Sequence, residues 1–245
     1  MNGADEPDVA DLRREELRRE ELSGNLTRVH DRVRAACASA GRDPREVTLV
    51  AVSKTFPVAD VLTLHALGQQ EFGENRHQEA VGKATAVPAA RWHFVGQLQR
   101  NKARAVASYA DVVQSVDRLP LVPVLGAAAR QRGRPLEVLV QVDLGSGESR
   151  RGGVAPTGLV ELADAVAAQP GLLLTGVMAV APRAAAPRAA FARLRELAER
   201  LRRDHPQARA ISAGMSADLE PAVAEGATLL RVGTALFGGR SVPLG

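Results

Sequence analysis

Short apolar runs alternate along the chain with longer segments in which apolar residues recur at the spacing of a helix face. Most of the short runs are rich in valine and leucine, which is typical of buried β-strands. We predict strands at 48–53, 71–73, 92–95, 112–115, 137–142, 174–180, 209–212 and 229–232.

The longer segments predict one helix before the first strand and one helix between each strand and the next. The first of these helices ends before Gly41 and Pro44, which do not readily continue a helix. We expect helices at about 22–40, 58–68, 76–86, 99–108, 118–131, 157–168, 187–203 and 217–225.

Regular alternation of strands and helices indicates a parallel sheet with right-handed crossovers. Eight strands in a chain of this length favour an α/β fold, a single closed (β/α)8 TIM barrel with an extra N-terminal helix. An open, doubly wound sheet is the alternative. We place the barrel domain at 21–245 and a flexible extension at 1–20, where charged residues predominate and the chain is either disordered or a frayed helix.

The composition is typical of a globular protein from a reducing compartment. Of 245 residues, 45% are hydrophobic and 24% are charged. Cys37 is the only cysteine, so the chain forms no internal disulfide. No apolar run reaches the roughly 18 residues of a membrane span, and the acidic N-terminus is unlike a secretory signal. We therefore expect a cytoplasmic protein.

The net charge of +4 does not by itself indicate nucleic-acid binding. The densest basic stretch, 188–203, carries apolar residues at helical spacing, which predicts a solvated helix face. Only seven aromatic residues occur in the chain, too few for an evident base-stacking surface. We expect neither nucleic acid nor a membrane as a partner. Since no long apolar stripe is evident, we also expect a monomer.

Three lysines stand against 29 arginines, and Lys54 comes directly after the first predicted strand. A lysine amine can attack an aldehyde to form a Schiff base, whereas a guanidinium cannot. A surface cation at the end of a strand is the simpler interpretation of Lys54. Lys83 falls in a predicted outer helix and Lys102 follows a loop, so neither gains comparable support from its position.

Polar, glycine-containing segments follow predicted strands seven and eight, where barrels of this type commonly bind phosphate. They contain Ser212, Met215 and Ser216 in the first segment, and Gly233 and Thr234 in the second. Glycines let the backbone approach an anion, and helix starts offer amides without partners. Ordinary helix caps and turns are the alternative. Two such segments at neighbouring strand ends favour an anion site.

An amine after strand one and an anion site after strands seven and eight would face the same end of the barrel. Pyridoxal 5'-phosphate (PLP) needs both, because its aldehyde reacts with an amine and its phosphate needs a cradle. Arg231 adds a constraint. Beside the pyridine nitrogen, its charge would keep that nitrogen unprotonated and the ring a poor electron sink. This arrangement disfavours transaminase-like chemistry.

Six ordered motifs together carry a family resemblance over roughly residues 22–240. They are Leu49-Val50-Ala51-Val52-Ser53-Lys54-Thr55, Phe72-Gly73-Glu74-Asn75, Trp92-His93-Phe94-Val95-Gly96-Gln97-Leu98-Gln99, Gly176-Val177-Met178-Ala179, Ser212-Ala213-Gly214-Met215-Ser216 and Val232-Gly233-Thr234-Ala235-Leu236-Phe237-Gly238. This set resembles the YggS/PROSC family of pyridoxal phosphate homeostasis proteins.

The resemblance implies a barrel similar to the N-terminal domain of bacterial alanine racemase, with PLP held as a Schiff base on Lys54. It also implies that Arg231 lies beside the pyridine nitrogen. The predicted cofactor-binding residues are Lys54, Asn75, Ser212, Met215, Ser216, Arg231, Gly233 and Thr234. We predict no catalytic residue and no metal ligand.

Two places depart from the family pattern. Arg76 and His77 follow Gly-Glu-Asn, where the family often has a tyrosine, and Gln97 replaces a common proline. Neither change removes a predicted cofactor-binding group. In the loop after strand five, we predict that Arg150 and Arg151 guide anionic PLP in or out.

The resemblance implies a carrier that holds PLP, releases it to apo-enzymes and buffers it in vitamin B6 homeostasis. A weak PLP-dependent amino-acid racemase is the alternative, and it needs an acid–base group on each face of the adduct. Tyr109, the only tyrosine, ends a predicted outer helix far from the mouth of the barrel, and His93 in its Trp-His-Phe run is typical of a packed core residue. A sugar-phosphate isomerase on the same fold is a third hypothesis.

Overall fold

The computed structural model describes residues 9–145, 152–182 and 186–239. Within these residues, eight parallel strands form a closed barrel in chain order, with the last strand paired to the first. The strands are β1 (Thr48–Val52), β2 (Glu71–Glu74), β3 (Arg91–Phe94), β4 (Val112–Val116), β5 (Leu136–Gln141), β6 (Leu172–Met178), β7 (Ala210–Ser212) and β8 (Leu229–Val232). The predicted barrel is confirmed, and its closure excludes the open sheet.

A helix follows every strand, and one longer helix precedes the first. The helices are α1 (Val9–Ser39), α2 (Val58–Ala66), α3 (His77–Ala86), α4 (Ala103–Tyr109), α5 (Val122–Gln131), α6 (Leu159–Ala168), α7 (Pro187–Asp204), α8 (Leu219–Ala224) and α9 (Thr234–Phe237). In the three described ranges, no helix is both long and apolar enough to cross a bilayer.

Alternate side chains of each strand point to opposite faces of the sheet, and the outer face carries the main core. In β3, Trp92 and Phe94 belong to the large apolar cluster shared with the helices, and the Trp92 ring lies 5.5 Å from that of Phe72. His93, between them, is also buried but joins the polar groups of the barrel interior.

The barrel interior is only partly apolar. Its separate hydrophobic cluster consists of Val112, Leu139 and Met178. Gln114 and Arg231 are buried as well. Buried polar groups are stable only when they are hydrogen-bonded, so the polar side chains inside this barrel must find one another.

Helix α1 begins at Val9, so the predicted start at about Leu22 is wrong. The charged segment continues the helix across residue 20 and gives no apolar periodicity that would reveal it. Two ion pairs, Arg14 with Asp11 and Arg18 with Glu21, each join residues one helical turn apart. Such pairs stabilise this end of the helix. Residues 1–8 lie outside the described ranges.

Arg18 anchors the charged end of α1 to the barrel. Its guanidinium donates to the two carboxylate oxygens of Asp60 in α2 at 3.1 and 2.6 Å, and to the Phe237 carbonyl at 2.9 Å. Asp60 is 4% exposed. The hydrogen bond to Asp60 raises the pKa of Arg18 above its ordinary value. The contact is therefore a charged, largely buried pair between α1 and α2.

We predict that Arg18→Ala lowers the free energy of unfolding by about 2–3 kcal/mol, because the Asp60 carboxylate would remain buried without its cation. Urea unfolding followed by circular dichroism measures this change. Arg14→Ala is the matched control on the same helix: its pair with Asp11 is exposed, so we expect a change within about 0.5 kcal/mol. Equal losses in the two variants would contradict the anchoring role of Arg18.

Candidate functional site

The predicted cofactor-binding residues lie at the carboxyl ends of four neighbouring strands. Closure of the barrel makes β7, β8, β1 and β2 consecutive neighbours. Lys54 follows β1 and Asn75 follows β2, the loop 212–216 begins at the end of β7, and Arg231, Gly233 and Thr234 end β8 or follow it. The candidate site is thus assembled from segments that are far apart in the sequence.

Lys54 stands on a tight turn directly after β1, with its side chain exposed. The next residue, Thr55, has φ +70°, a left-handed conformation that β-branched residues rarely adopt. Its amide donates to Glu79 Oε2 of α3 at 2.7 Å, and the Phe56 amide donates to the Ser53 carbonyl at 3.1 Å. The lysine is therefore carried by a fixed turn.

A second lysine, Lys83 of α3, is buried directly behind this turn. Its Nζ donates to Glu74 Oε1 at 2.5 Å and to the Ser53 carbonyl at 2.7 Å. The Ser53 hydroxyl donates to the same Glu74 oxygen at 2.6 Å. Lys83 is 4% exposed and Glu74 is fully buried. Lys83 lies on an outer helix as predicted, yet it supports the residue that precedes Lys54, a role that its position in the sequence did not indicate.

Tyr109 packs near the same ion pair, on the helix side of the sheet. Its ring stacks on His77 with the centroids 5.8 Å apart. Burial raises the pKa of Tyr109 above its ordinary value, and the charge of Glu74 raises it further. Within the described ranges, the Tyr109 hydroxyl and Glu74 Oε2 have no hydrogen-bond partner. The raised pKa disfavours the phenolate form that a general base would need.

The loops after β7 and β8 meet, as a shared anion site requires. The Ser216 hydroxyl accepts a hydrogen bond from the Ala235 amide at 3.2 Å. Gly233 lies against β1, since a Cβ atom there would stand 3.1 Å from the Val52 carbonyl oxygen. The Thr234 amide opens α9 and has no partner within the helix, so it can donate to an anion.

Gly214 gives the β7 loop its shape. Its φ is +87°, and a Cβ atom there would stand 2.6 Å from the Cβ of Ala222, so only glycine fits without displacement. The following amide, that of Met215, donates to Asp218 Oδ1 at 2.6 Å. This contact holds Met215, which is partly exposed, at the rim of the site.

Helix α1 braces both loops from outside the barrel. Arg32 donates to the Ser216 carbonyl at 3.1 Å, and Asn25 donates to the Leu236 carbonyl at 2.8 Å. Together with Arg18, which binds the Phe237 carbonyl, they contact these segments through carbonyl oxygens. The first helix of the chain is thereby part of the support of the site.

Arg231 is buried in the barrel interior just below these loops. Its Nη1 donates to the Ser212 hydroxyl at 2.6 Å and its Nη2 to the Ala179 carbonyl at 2.8 Å. Burial lowers the pKa of Arg231 to about 10, although the charge of Asp218 opposes this shift. At neutral pH the guanidinium is therefore still a cation, fixed in place by contacts to β7 and to the end of β6.

The donor set fits a small phosphorylated aldehyde. An exposed primary amine on Lys54 can react with a carbonyl group. The hydroxyls and amides of two adjoining glycine-containing loops can bind a phosphate, and a buried cation lies at the same end of the barrel. No part of this arrangement requires a metal.

A comparison with known proteins identifies the family. A family model described as the alanine racemase N-terminal domain matches residues 24–241. The pyridoxal phosphate homeostasis protein of Pseudomonas aeruginosa is 46% identical over 225 residues, which cover 89% of this chain and 96% of the relative. The chain belongs to the family of pyridoxal phosphate homeostasis proteins.

A second curated relative and a solved structure match over similar lengths. The Escherichia coli K12 protein of that name is 39% identical over 232 residues, 90% of this chain and 97% of its own. PipY of Synechococcus elongatus, solved with PLP bound, is 34% identical with a TM-score of 0.77, covering 89% of this chain and all of that one. The family resemblance inferred from the sequence motifs is confirmed.

Not all of the predicted site residues are in direct contact. The structure joins Ser212 to Arg231, and Ser216 to the segment that follows Thr234. Asn75 lies after β2 with its backbone tightly packed against Gly96. The assignment of all eight side chains to a cofactor stays a prediction.

Sequence reasoning missed Lys83, and a signal for it was present. In α3, Lys83 shares one helix face with Ala80 and Ala84, which are both buried. A lysine on an apolar face needs an anionic partner, and Glu74 at the end of β2 is the nearby candidate. The role of Glu79 left no such signal, because its partner is a backbone amide.

The departures from the family pattern lie at the edge of the site. The Arg76 side chain is 74% exposed and lies 3.6 Å from Glu79, whereas His77 packs against Tyr109. Gln97 lies near Gly152 in the loop after β5. Arg150 and Arg151 lie outside the described residues, so their proposed part in PLP entry stays a prediction.

We predict that Lys83→Met lowers the free energy of unfolding by about 3–5 kcal/mol, because it leaves the Glu74 carboxylate buried without a cation. The double variant Lys83→Met/Glu74→Gln should lose less than Lys83→Met alone, since no uncompensated charge remains. Urea unfolding of the single and double variants measures both effects. If the double variant is no more stable than Lys83→Met, the ion pair is not what holds this region together.

Proposed function

We propose that this protein binds PLP at the carboxyl end of its barrel and acts in intracellular PLP homeostasis. The observation that carries the proposal is the convergence of the Lys54 turn with the two glycine-containing loops of β7 and β8. PLP binding by the homologous PipY supports it.

In this proposal, each group of residues has one task. The amine of Lys54 binds the aldehyde group of PLP, and this aldehyde is the reactive carbonyl that the cofactor supplies when bound. Ser216, Gly233 and Thr234 bind the phosphate through hydroxyls and amides. Arg231 faces the ring nitrogen and keeps it unprotonated by charge repulsion. Asn75, Ser212 and Met215 complete the wall of the site.

Covalent labelling tests the role of Lys54. Protein incubated with PLP is reduced with borohydride, digested and mapped by mass spectrometry. We expect the label on Lys54, and its loss in Lys54→Ala. The mapping is direct because the chain has only two other lysines, Lys83, which is buried, and Lys102.

Lys102→Ala is the matched control for this labelling, and we expect it to take up PLP like the unaltered protein. Labelling of Lys102 in place of Lys54 would overturn the assignment of the binding lysine. Protein that takes up no PLP would overturn the proposed function as a whole.

We further propose that the protein carries PLP without turning over an amino acid. Racemisation needs a second acid–base group facing the adduct. Tyr109 lies on the helix side of the sheet with a raised pKa, and His93 has both ring nitrogens within hydrogen-bond distance of Glu71 and Gln114. Neither side chain is placed to exchange a proton with a substrate bound at Lys54.

Solvent exchange tests this absence of turnover. PLP-loaded protein is incubated with D- and L-alanine in deuterated water, and deuterium at the α-carbon is followed by NMR. We expect incorporation at the rate given by free PLP at the same concentration. Faster incorporation that disappears in Lys54→Ala would establish the racemase alternative.

We propose apo-enzymes that require PLP as the recipients, in the cytoplasm. Exposure of Lys54 supports a carrier, because a cofactor bound at an open turn can leave without rearrangement of the barrel. Retention of all PLP by the loaded protein in the presence of an apo-enzyme would contradict this part of the proposal.

A further inference from the structure

Five side chains form an unbroken hydrogen-bonded chain through the barrel interior. Arg231 Nη1 lies 2.6 Å from Ser212 Oγ, which lies 2.6 Å from Gln114 Oε1. Gln114 Nε2 lies 2.8 Å from His93 Nδ1, and His93 Nε2 lies 2.5 Å from Glu71 Oε2. This series of hydrogen bonds starts at Arg231, near the loop end of β8, and finishes at Glu71, the first residue of β2. It therefore connects the two ends of the barrel.

The two end groups, together with the orientation of the Gln114 amide, whose oxygen faces Ser212 and whose nitrogen faces His93, fix the direction of every hydrogen bond between them. A guanidinium only donates and a carboxylate only accepts. Ser212 must therefore accept from Arg231, and it then donates to the Gln114 carbonyl oxygen. The Gln114 amide consequently donates to His93 Nδ1, which must be unprotonated. His93 Nε2 then carries the proton and donates to Glu71.

We propose that Glu71, His93 and Gln114 are positioning residues for Arg231, acting as a one-way hydrogen-bond relay that holds His93 in its neutral Nε2–H form. The part of this proposal that concerns PLP rests on the proposed function. Because each donor is polarised by the next acceptor, the bonds of such a chain strengthen one another. The guanidinium is thereby held at a fixed position and angle beneath the cofactor loops.

The far end of the relay lies at the opening opposite the proposed PLP site. Glu71, Arg91 and Glu137 line a cavity of about 170 Å³ there, formed by the first residues of the strands. Arg91 lies 2.6 Å from Glu137 and 3.4 Å from Glu71. Glu137 thus lies in the same cavity as Glu71 and has the same arginine partner. In the described residues it makes no contact with His93, so it is a matched control for Glu71.

The first experiment reads the tautomer of His93 in the protein without PLP. Nitrogen-15 NMR of histidine-labelled protein distinguishes protonated from unprotonated ring nitrogens. We expect His93 to carry a proton on Nε2 and none on Nδ1 at neutral pH. A proton on Nδ1, alone or together with one on Nε2, overturns the relay.

Gln114→Glu tests the direction of the relay with a side chain of nearly the same shape. A carboxylate at this position can only accept, so it requires a donor on His93 Nδ1. We expect His93 in this variant to carry protons on both ring nitrogens at a pH where the unaltered protein carries one. An Nδ1 that stays unprotonated in Gln114→Glu contradicts the proposed direction.

The second experiment measures the dissociation constant of PLP in variants at the far end of the relay. Glu71→Ala removes the terminal acceptor, and we expect about fivefold weaker binding, the effect of one lost hydrogen bond. Glu71→Gln keeps an acceptor oxygen and should restore most of this loss. Glu137→Ala removes the control carboxylate and should change PLP binding by less than about twofold.

The outcomes separate this inference from the proposed function. An equal loss of affinity in Glu71→Ala and Glu137→Ala, or no loss in Glu71→Ala, overturns the coupling of Glu71 to the cofactor end. Failure of the unaltered protein to bind PLP overturns the proposed function instead, and the His93 measurements still decide whether the relay exists.

Discussion

The pairing of β8 with β1 is the constraint on which the candidate site depends. Four residue pairs, from Thr48 with Leu229 to Ala51 with Val232, align the first strand with the last. This alignment sets the start of α9, at Thr234, beside the turn that carries Lys54. Pairing β1 with β8 closes the whole segment between these two strands, which costs conformational entropy. Burial of the apolar core offsets this cost. Helix α1 adds a second link between the ends of the chain, because Asn25 binds the carbonyl of Leu236.

Two buried polar systems lie on opposite faces of the same sheet. On the helix side, Lys83 and Glu74 hold the residue that precedes Lys54. Inside the barrel, Ser212 and the residues behind it hold Arg231. Neither system is a strong source of net stability, since desolvation of charged groups offsets much of their attraction. Their effect is geometric: one fixes Arg231, and the other fixes the residue that precedes Lys54.

The sequence predicted the order of elements well, because strands and helices differ in their apolar periodicity. It predicted a site at Lys54 and at the glycines near Ser216 and Thr234, and the structure places these residues at the ends of neighbouring strands. It did not reveal the helical start at Val9, where charges carry no apolar pattern. It also did not reveal that His93 meets Glu71 and Gln114, because contacts across a barrel depend on register, which short strands encode weakly.

The conformation of Thr55 has a consequence for ligand exchange. A β-branched residue held at φ +70° costs on the order of 1–3 kcal/mol, and the contact with Glu79 helps to maintain it. That cost is incurred when the chain folds, before any ligand arrives. The backbone that carries Lys54 is therefore ordered before a ligand binds, so capture of a ligand costs little further conformational freedom in the turn. In ligand exchange such a turn favours capture, because less of the binding free energy is spent on ordering the chain.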